Sequence, residues 1–437
     1  KSAKLSKIKM FLFTDGKDLQ GIQKSKDIKY MKVLRYSLRV LTAWPEKEIE
    51  MEESKYHVYK KRYTFCLEML CLLPGILFLK MNFNKLTFFE LGHTYITVFM
   101  NTVAVCRLVL IFLQKYFDMF GYFVNVVHLF NYKDKSDYAM KMHLHVHKMS
   151  HFLTIFSTAQ MVIGIVMFNG TPVYNNIMSG AYSNYSTQNV TFEHAVYYAL
   201  PFDYQHELNG YLVVFLFNWY ISYICTSCIC IFDLLMSIMV FHVWGHLKIL
   251  IHDLENFPRP RLEEYGDKYF VEYSDQETKR YHQILRESIS HHWLIKNFVK
   301  KISDTFGPIL FVYFLFQQAT GCVILLECSQ MDTPSLVRYG PMVLIFFQLV
   351  VQISVVFELP GSLSEPLTNA LYNIPWECMD KSNRKILFVF LQQSQKSMNL
   401  KALDMIPVGV QTMTKVIKTS LTYFVMLRTV AGSENKS

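Results

Sequence analysis

Seven apolar segments divide this chain, at about 64–80, 93–113, 152–169, 210–232, 304–327, 341–358 and 404–427. A helix needs about 20 mainly apolar residues to cross the hydrocarbon core of a bilayer, and each segment approaches or exceeds that length. The pattern predicts an all-α polytopic membrane protein with seven transmembrane helices.

The seventh segment is more polar than the other six. It carries Lys415 and Lys418 together with several hydroxyl and amide side chains. A charged side chain is costly to bury in lipid, so a helix of this kind is tolerated when protein surrounds it and one side meets water. We expect the seventh span to line a pore. This favours a channel-like receptor over an enzyme.

Shorter amphipathic patterns lie between the spans. One helical face of residues 28–41 is apolar and predicts a helix lying at or near the inner leaflet; it consists of Tyr30, Val33, Leu34, Ser37, Leu38 and Leu41. The charged segment 242–303 is compatible with two helices that continue spans four and five, interrupted at Pro258 and Pro260.

The segment 359–403 predicts two helices too short to cross the membrane. Pro360-Gly361 is expected to break span six, Ser364 to cap the first helix and Pro375 to stop it. The apolar faces of these helices need a partner, so we predict an anchor or assembly region.

The predicted regions follow from these segments. They are an N-terminal cytoplasmic helical segment (1–63), spans one to four with an outer ligand-binding region (64–241), cytoplasmic helical extensions (242–303), spans five and six (304–358), cytoplasmic anchor helices (359–403), and the pore-lining seventh span with a short outer C-terminus (404–437).

The distribution of charge predicts the orientation. Lys and Arg concentrate in 1–63, 114–151, 242–301 and 359–403, whereas 169–209 contains neither. Basic residues accumulate on the cytoplasmic side of membrane proteins. The N-terminus is therefore predicted inside and the C-terminus outside. The net charge of +9 follows this topology and does not indicate a nucleic-acid partner.

Three glycosylation sequons, at Asn169, Asn184 and Asn189, fall in the loop predicted to be external. N-glycosylation needs an exposed acceptor on that side of the membrane. We therefore expect these three asparagines to be acceptors.

No catalytic motif accompanies the spans. The acidic residues within them, Glu68, Asp233 and Glu327, are isolated in the sequence, which leaves paired acid–base chemistry without a basis. The cysteines 225, 228 and 230 are interpreted as small packing residues. The histidines at 143, 145, 147, 242, 246, 291 and 292 are interpreted as hydrogen-bonding or solvent-facing and not as metal ligands. We expect no metal and no cofactor.

A ligand site would use the outer halves of spans two, three, four and six. These are rich in aromatic residues and Met with a few polar groups, which suits an apolar ligand bearing one polar group. Helix packing is the alternative role for each residue taken singly. The candidates are Tyr95, Val98, Phe99, Gln160, Met161, Gly164, Met167, Phe168, Tyr211, Val214, Phe215, Trp219 and Phe346.

The chain resembles insect odorant receptors. The resemblance lies in Leu363-Ser364, Leu371-Tyr372, Trp376, Arg384-Lys385, Leu387, Gln395 and the segment from Ser420 to Arg428 that contains Tyr423-Phe424. The segments from Asp15 to Leu19 and from Phe89 to Tyr95 are similar to moth sex-pheromone receptors.

This resemblance implies a ligand-gated, non-selective cation channel that assembles as a heterotetramer with the odorant receptor coreceptor (Orco). Spans five and six and the anchor helices would form subunit contacts, and the seventh span would line the pore, with the gate at Met426 and Val430 and Thr429 between them. The ligand would be a volatile fatty-chain alcohol, aldehyde or acetate. The chain would be the ligand-tuning subunit in the plasma membrane of an olfactory neuron dendrite.

Two alternatives stay open. A membrane transporter would need internal repeats and broken helices around a midplane site; Pro74-Gly75 and Gly307-Pro308 interrupt spans one and five, but the two halves show no matching repeat. A receptor for a plant volatile is the second alternative.

Overall fold

The apolar segments of the sequence form long helices, because a helix satisfies all its backbone hydrogen bonds internally where water is absent. The structure, a computed structural model, describes residues 14, 16–50, 56–86, 88–184, 191–259, 273–328, 333–403 and 406–434. The helices are α1 (Lys29–Val40), α2 (Glu46–Glu50), α3 (Tyr56–Asn82), α4 (Phe88–Leu108), α5 (Gln114–Tyr122), α6 (Asp137–Met178), α7 (Ala181–Asn184), α8 (Leu208–Glu255), α9 (Asp275–Cys328), α10 (Thr333–Ser362), α11 (Ser364–Tyr372), α12 (Lys381–Ser394) and α13 (Val410–Glu434).

Short elements connect these helices. One five-residue π-helix spans Phe123–Val127, and the 3₁₀ turns are Lys17–Leu19, Ser25–Asp27, Val109–Phe112, Leu129–Asn131, Lys133–Lys135 and Trp376–Cys378. Two-residue strands, β1 (Lys401–Ala402) and β2 (Ile406–Pro407), pair antiparallel with Lys401 opposite Pro407. The predicted all-α fold is confirmed.

Six helical segments among the described residues are long and apolar enough to cross a membrane. They are Tyr56–Asn82, Leu91–Phe112, Asp137–Met178, Leu208–Glu255, Asp275–Cys328 and Met342–Cys378. The seventh predicted span corresponds to the 25-residue helix α13. Helix α8 is buried along nearly its whole apolar length, because α4, α6, α9 and α10 all pack against it.

The helices of spans four and five extend well beyond the predicted spans. Helix α8 continues to Glu255 and α9 begins at Asp275. Together with α5, α6 and the anchor helices, these extensions hold the main hydrophobic core, which lies at the predicted cytoplasmic end. Three smaller clusters lie towards the opposite end. The helices are therefore packed more continuously at the cytoplasmic end than at the outer end.

The N-terminal amphipathic helix is confirmed as α1, but protein covers its apolar face. Tyr30, Leu34 and Leu38 are buried, and α1 packs against α6 and α8. The bundle itself therefore provides the apolar partner of these three side chains, and the position of α1 at or near the inner leaflet stays a prediction.

Two boundaries of the anchor region differ from the prediction. Helix α10 continues through Pro360 and Gly361 to Ser362; a proline near a helix end needs only local adjustment of the preceding turn. Leu363 occupies the cap position of α11, and the Ser364 hydroxyl accepts a hydrogen bond from the backbone N–H of Met398 at 3.1 Å. The two predicted short helices are present as α11 and α12.

Buried histidines join α1 to the extensions of α6, α8 and α9. The Tyr30 hydroxyl lies 2.7 Å from His128 Nε2 and 3.2 Å from His242 Nε2. Nδ1 of each imidazole accepts a backbone N–H, so each neutral ring carries its proton on Nε2 and donates it to the Tyr30 oxygen. His246 Nδ1 and His291 Nε2 share a hydrogen bond of 2.9 Å. No group of three or more metal-ligating side chains occurs within the described ranges.

Acidification is expected to destabilise this histidine cluster. Burial and neighbouring imidazoles lower the pKa of His128 and His242 well below the usual range, and burial lowers the pKa of His143 to about 4. The unfolded chain takes up protons below about pH 6.5 while the folded chain does not. The contribution of these histidines to the free energy of unfolding is therefore fully present above that pH. As the pH drops further, the contribution decreases by up to about 1.4 kcal/mol per pH unit for each such histidine.

Thermal unfolding of the detergent-solubilised protein between pH 7.5 and 5 measures this effect. His143→Phe should flatten the pH dependence, because it removes one of the imidazoles with a lowered pKa. It breaks no hydrogen bond, since neither ring nitrogen of His143 has a partner among the described residues. His145→Phe, at an exposed position of the same helix, is the matched control and should leave the slope unchanged. An identical slope in all three proteins would contradict the prediction.

Candidate functional site

An internal cavity lies between the middle of the bundle and its predicted outer end. Its water-accessible volume is about 180 Å³. Helices α4, α6, α8, α9 and α10 enclose it, with the lining residues Ile96, Thr97, Met100, Asn101, Gln160, Gly164, Met167, Phe168, Val196, Ile221, Ser222, Cys225, Thr226, Ile229, Cys230, Thr320, Ile324, Met342, Ile345, Phe346 and Leu349. The lining is mostly apolar with a few hydroxyl and amide groups. Such a cavity suits a small apolar ligand with a polar group.

Five of the thirteen ligand-site candidates line this cavity: Gln160, Gly164, Met167, Phe168 and Phe346. A Cβ added at Gly164 would meet no atom within 4 Å, so this glycine leaves open space at the cavity wall that Phe168 also lines.

The aromatic candidates on α4 lie beside the cavity. Tyr95 and Phe99 pack against the apolar cluster that contains Val323 and Ile324. The Phe99 ring lies 5.7 Å from the Phe316 ring. These residues support the α4–α9 contact and do not line the cavity.

Other candidates also stand outside the cavity. Tyr211 and Phe215 stack at 5.8 Å between ring centroids, and Tyr211 belongs to an outer cluster with Phe192. Met161 accepts a hydrogen bond from the Ser227 hydroxyl through its sulfur. The predictions for these residues rested on composition, which does not resolve which helix face turns inward.

Val98, Val214 and Trp219 are not among the residues that line this cavity either. Val98 is buried and would lie 3.3 Å from a side chain placed at Gly75. Val214 belongs to the cluster around Cys71 and Tyr198.

Helix α9 contributes to the cavity, although none of the residues predicted from the sequence lies on it. Thr320 and Ile324 line the cavity from this helix, as do Cys225, Ile229 and Cys230 from the inner part of α8. The sequence does mark this part of α9. Thr320 supplies a hydroxyl group and the adjacent Gly321 has no side chain, within a span of otherwise bulky residues.

An outer loop closes one side of the cavity through Val196. The Val196 carbonyl accepts a hydrogen bond from Asn218 at 3.4 Å, and the Ala195 carbonyl accepts one from His93 Nε2 at 2.7 Å. These bonds tie the loop to α8 and α4. The two loop carbonyls nearest the cavity are therefore hydrogen-bonded.

Asn169 is wrongly predicted as a glycosylation site. It lies inside α6, is buried, donates to the Ile165 carbonyl at 3.1 Å and accepts from the Ser222 hydroxyl at 3.3 Å. An oligosaccharide acceptor must be exposed, and this amide is inside the bundle. Asn189 and the side chain of Asn184 lie outside the described residues.

Asp233 is not isolated, in contrast to the prediction. Its Oδ1 lies 2.6 Å from the Arg107 guanidinium, and both side chains are 1% exposed. The guanidinium also donates to the Ile229 carbonyl at 2.5 Å and lies 4.7 Å from the centre of the Tyr313 ring. A single arginine thus joins α4, α8 and α9 beneath the cavity.

Helix α13 packs on the bundle by one face only. Val416 and Ser420 are buried against α9 and α10. The opposite face is open and presents Thr414, Lys418, Leu421, Thr422 and Val425. Lys415, Met426 and Thr429 are exposed as well, while the side chains of Arg428 and Val430 lie outside the described residues.

The cavity and α13 meet at Gly321. A side chain added there would lie 2.9 Å from the Ser420 Oγ and 3.0 Å from the ring of Phe346. Phe346 lines the cavity, and the Ser420 hydroxyl donates to the Gln318 carbonyl at 3.3 Å. One glycine therefore separates the cavity wall from the seventh span.

A family model of the 7tm odorant receptors matches residues 88–421. The chain belongs to the insect odorant receptor family. This receptor is 19% identical over 286 residues to odorant receptor 13a of Drosophila melanogaster, a match that covers 62% of this chain and 65% of that protein. It is 25% identical over 158 residues to odorant receptor 85b of the same organism, covering 35% and 39%. The matches thus span less than two thirds of these relatives.

Solved structures show the same fold. The olfactory receptor OR5 from the insect Machilis hrabei superimposes on this odorant receptor with a TM-score of 0.72 at 13% identity, covering 91% of this chain and 97% of that one. The complex of that receptor with eugenol gives a TM-score of 0.73. Family membership confirms the prediction of an odorant receptor, not an enzyme.

Proposed function

We propose that this odorant receptor is the ligand-binding subunit of a ligand-gated, non-selective cation channel formed with the odorant receptor coreceptor. The observation that carries the proposal is the mostly apolar internal cavity. Gly321 separates the wall of this cavity from helix α13, which has an open polar face. A ligand in that cavity contacts Phe346, and Phe346 packs beside the contact between Gly321 and Ser420.

The proposed ligand is a volatile fatty-chain alcohol, aldehyde or acetate. Its chain would contact apolar residues such as Ile96, Ile345 and Leu349, and its polar group would meet the few hydroxyl and amide side chains. The similarity of two short segments to moth pheromone receptors is the support for this ligand class. The proposed site keeps Gln160, Gly164, Phe168 and Phe346 and adds the α9 residues.

The proposed pore lies along the open face of α13. Thr414, Lys418 and Thr422 would face water inside a ring of subunits, because a polar helix face is stable in a membrane protein where it meets water or protein. The proposed gate is at Met426, Thr429 and Val430. Ligand binding opens a gate only when the ligand binds the open state more tightly than the closed one, so contacts at Phe346 must differ between the two states.

The proposed partner contacts use the anchor helices, in a heterotetramer. Tyr372, Trp376, Phe388 and Val389 are exposed by 48–68% on α11, α12 and the turn between them. Exposed aromatic and aliphatic side chains in such a group favour burial against another subunit. We also propose that the receptor lies in the plasma membrane of a dendrite, with a cytoplasmic N-terminus and an external C-terminus. Asn184 and Asn189 are the proposed glycosylation sites. The domain boundaries given from the sequence are part of the same proposal.

A receptor for a plant volatile is the second candidate. The Machilis hrabei receptor of the same fold has been solved with eugenol, an aromatic phenol. Phe168 and Phe346 in the cavity wall of this receptor would suit an aromatic ring as well as a fatty chain.

Whole-cell current tests the proposal. Cells expressing the receptor with the coreceptor should respond to a member of a panel of fatty-chain alcohols, aldehydes, acetates and aromatic volatiles. Cells expressing either subunit alone provide the controls. No response in any combination, with surface expression confirmed, would contradict the proposed function and favour a transporter.

Filling the cavity should abolish sensitivity without unfolding the protein. Gly164→Leu places a branched side chain in open space at the cavity wall, and we expect the half-maximal ligand concentration to rise by about tenfold or more. Gly170→Leu is the matched control, because Gly170 lies on the same helix, also has no atom within 4 Å of an added side chain, and does not line the cavity. Equal responses from both variants would argue against this cavity as the binding site.

A further inference from the structure

The polar side chains of the cavity wall differ in how well they are satisfied. Thr97 donates its hydroxyl to a carbonyl of its own helix at 2.9 Å. Ser222 donates to Asn169, and the Asn101 amide donates to the Cys71 sulfur at 3.0 Å. These groups already have protein partners, so a ligand gains little by approaching them.

Two lining residues have unused hydrogen-bonding capacity. Thr320 is 1% exposed, and its Oγ1 has no hydrogen-bond partner among the described residues. The Oε1 of Gln160 is also buried without a partner within the described ranges. A buried polar atom without a partner is unfavourable relative to the same atom in water. Both positions therefore favour a ligand that supplies the missing bonds.

A row of amides defines which atom of Gln160 is free. Gln348 donates through Nε2 to Gln352 Oε1 at 2.9 Å. The remaining Oε1 of Gln348 accepts from Nε2 of Gln160. Gln160 thereby donates its amide N–H to an acceptor on α10 and keeps its own oxygen free as an acceptor. Thr320, in contrast, has a hydroxyl that both donates and accepts.

We infer that Gln160 and Thr320 together select ligands with a hydroxyl group over aldehydes and acetates. A hydroxyl donates one hydrogen bond and accepts others, whereas the oxygens of an aldehyde or an ester only accept. Only the hydroxyl supplies a donor for Gln160 Oε1 while using the Thr320 hydroxyl. This inference deepens the proposed function and rests on it.

A matched ligand series tests the inference. The series has one fatty chain with a terminal alcohol, its methyl ether, the aldehyde and the acetate. Two readouts are used: current from receptor and coreceptor together, and the ligand-induced shift in unfolding temperature of the same purified complex. The second readout reports binding even where no channel opens.

Three threonine variants and one glutamine variant complete the design. Gln160→Met removes the acceptor and should weaken the alcohol by about threefold to tenfold while leaving the ether unchanged. Thr320→Val removes the hydroxyl at nearly constant shape and should weaken all four compounds, because each has an oxygen that can accept from that hydroxyl. Thr320→Ser keeps a hydroxyl and should retain the preference. Thr97→Val, which removes a hydroxyl already bonded within its helix, is the control and should have no selective effect.

The outcomes separate this inference from the proposed function. Alcohol-selective temperature shifts that Gln160→Met removes support the inference, with or without current. Equal or stronger effects of the acetate and aldehyde would overturn it, and would indicate that the amide row presents a donor at Gln160. Gln160→Met weakening all four compounds equally, or Thr320→Val leaving all four unchanged, would also overturn it. Binding without current would count against the proposed channel and leave the inference standing.

Discussion

Replacing Arg107 with methionine is expected to destabilise the receptor by about 3–5 kcal/mol, because the carboxylate of Asp233 is then left buried without a countercharge. The two side chains are 1% exposed and 2.6 Å apart. Such a loss is a large part of the 5–15 kcal/mol that a typical folded domain has available. Surface expression should fall strongly, and the unfolding temperature in detergent should fall with it.

A double variant distinguishes loss of charge pairing from loss of packing. Arg107→Met with Asp233→Leu removes both charges, and replacing a buried ion pair with apolar residues is often close to neutral. The double variant should therefore be more stable than the single one. Arg107→Lys keeps the charge but loses the flat contact with the Tyr313 ring, so its stability should be intermediate. A double variant no more stable than Arg107→Met would contradict the ion-pair explanation.

Replacing Gly321 with alanine is expected to uncouple the cavity from the seventh span. The added methyl group would lie 2.9 Å from the Ser420 Oγ and 3.0 Å from the Phe346 ring. Overpacking of this kind costs about 1–3 kcal/mol, and α13 or Phe346 must move to relieve it. We expect a change of about tenfold or more in the half-maximal ligand concentration, or a standing current without ligand.

A second substitution tests whether the contact with Ser420 causes this effect. Ser420→Ala removes the nearest atom, so the pair Gly321→Ala and Ser420→Ala should recover part of the normal response. Gly340→Ala is the matched control, since an added side chain there meets no atom within 4 Å. If Gly321→Ala conducts as the unmodified receptor does, the contact between α9 and α13 does not transmit binding to the pore.

Much of the architecture follows from the sequence alone, because the bilayer imposes length and apolar composition on each spanning helix. Six of the seven predicted spans coincide with helices that meet those requirements among the described residues. The long helical extensions at 242–303 and the two anchor helices are also local properties of their segments. The polarity of the seventh span is visible in Lys415 and Lys418 without any structure.

The faces of the helices were decided by tertiary packing. In a membrane bundle, residues facing lipid and residues facing other helices are both apolar, so composition does not separate Tyr95 and Phe99, which pack against α9, from Phe168 and Phe346, which line the cavity. Thr320 on α9 was missed for the same reason. Its role depends on which neighbours surround it.

Contacts between distant segments were likewise beyond the sequence. Asp233 appears isolated along the chain, yet it pairs with Arg107 from another helix. Asn169 has the sequon of an external acceptor, yet α6 continues past it and buries it against Ser222. Local sequence determined where this receptor is helical and which segments can cross a membrane. Only the tertiary structure decided which side chains meet, because burial and pairing depend on the arrangement of the whole bundle.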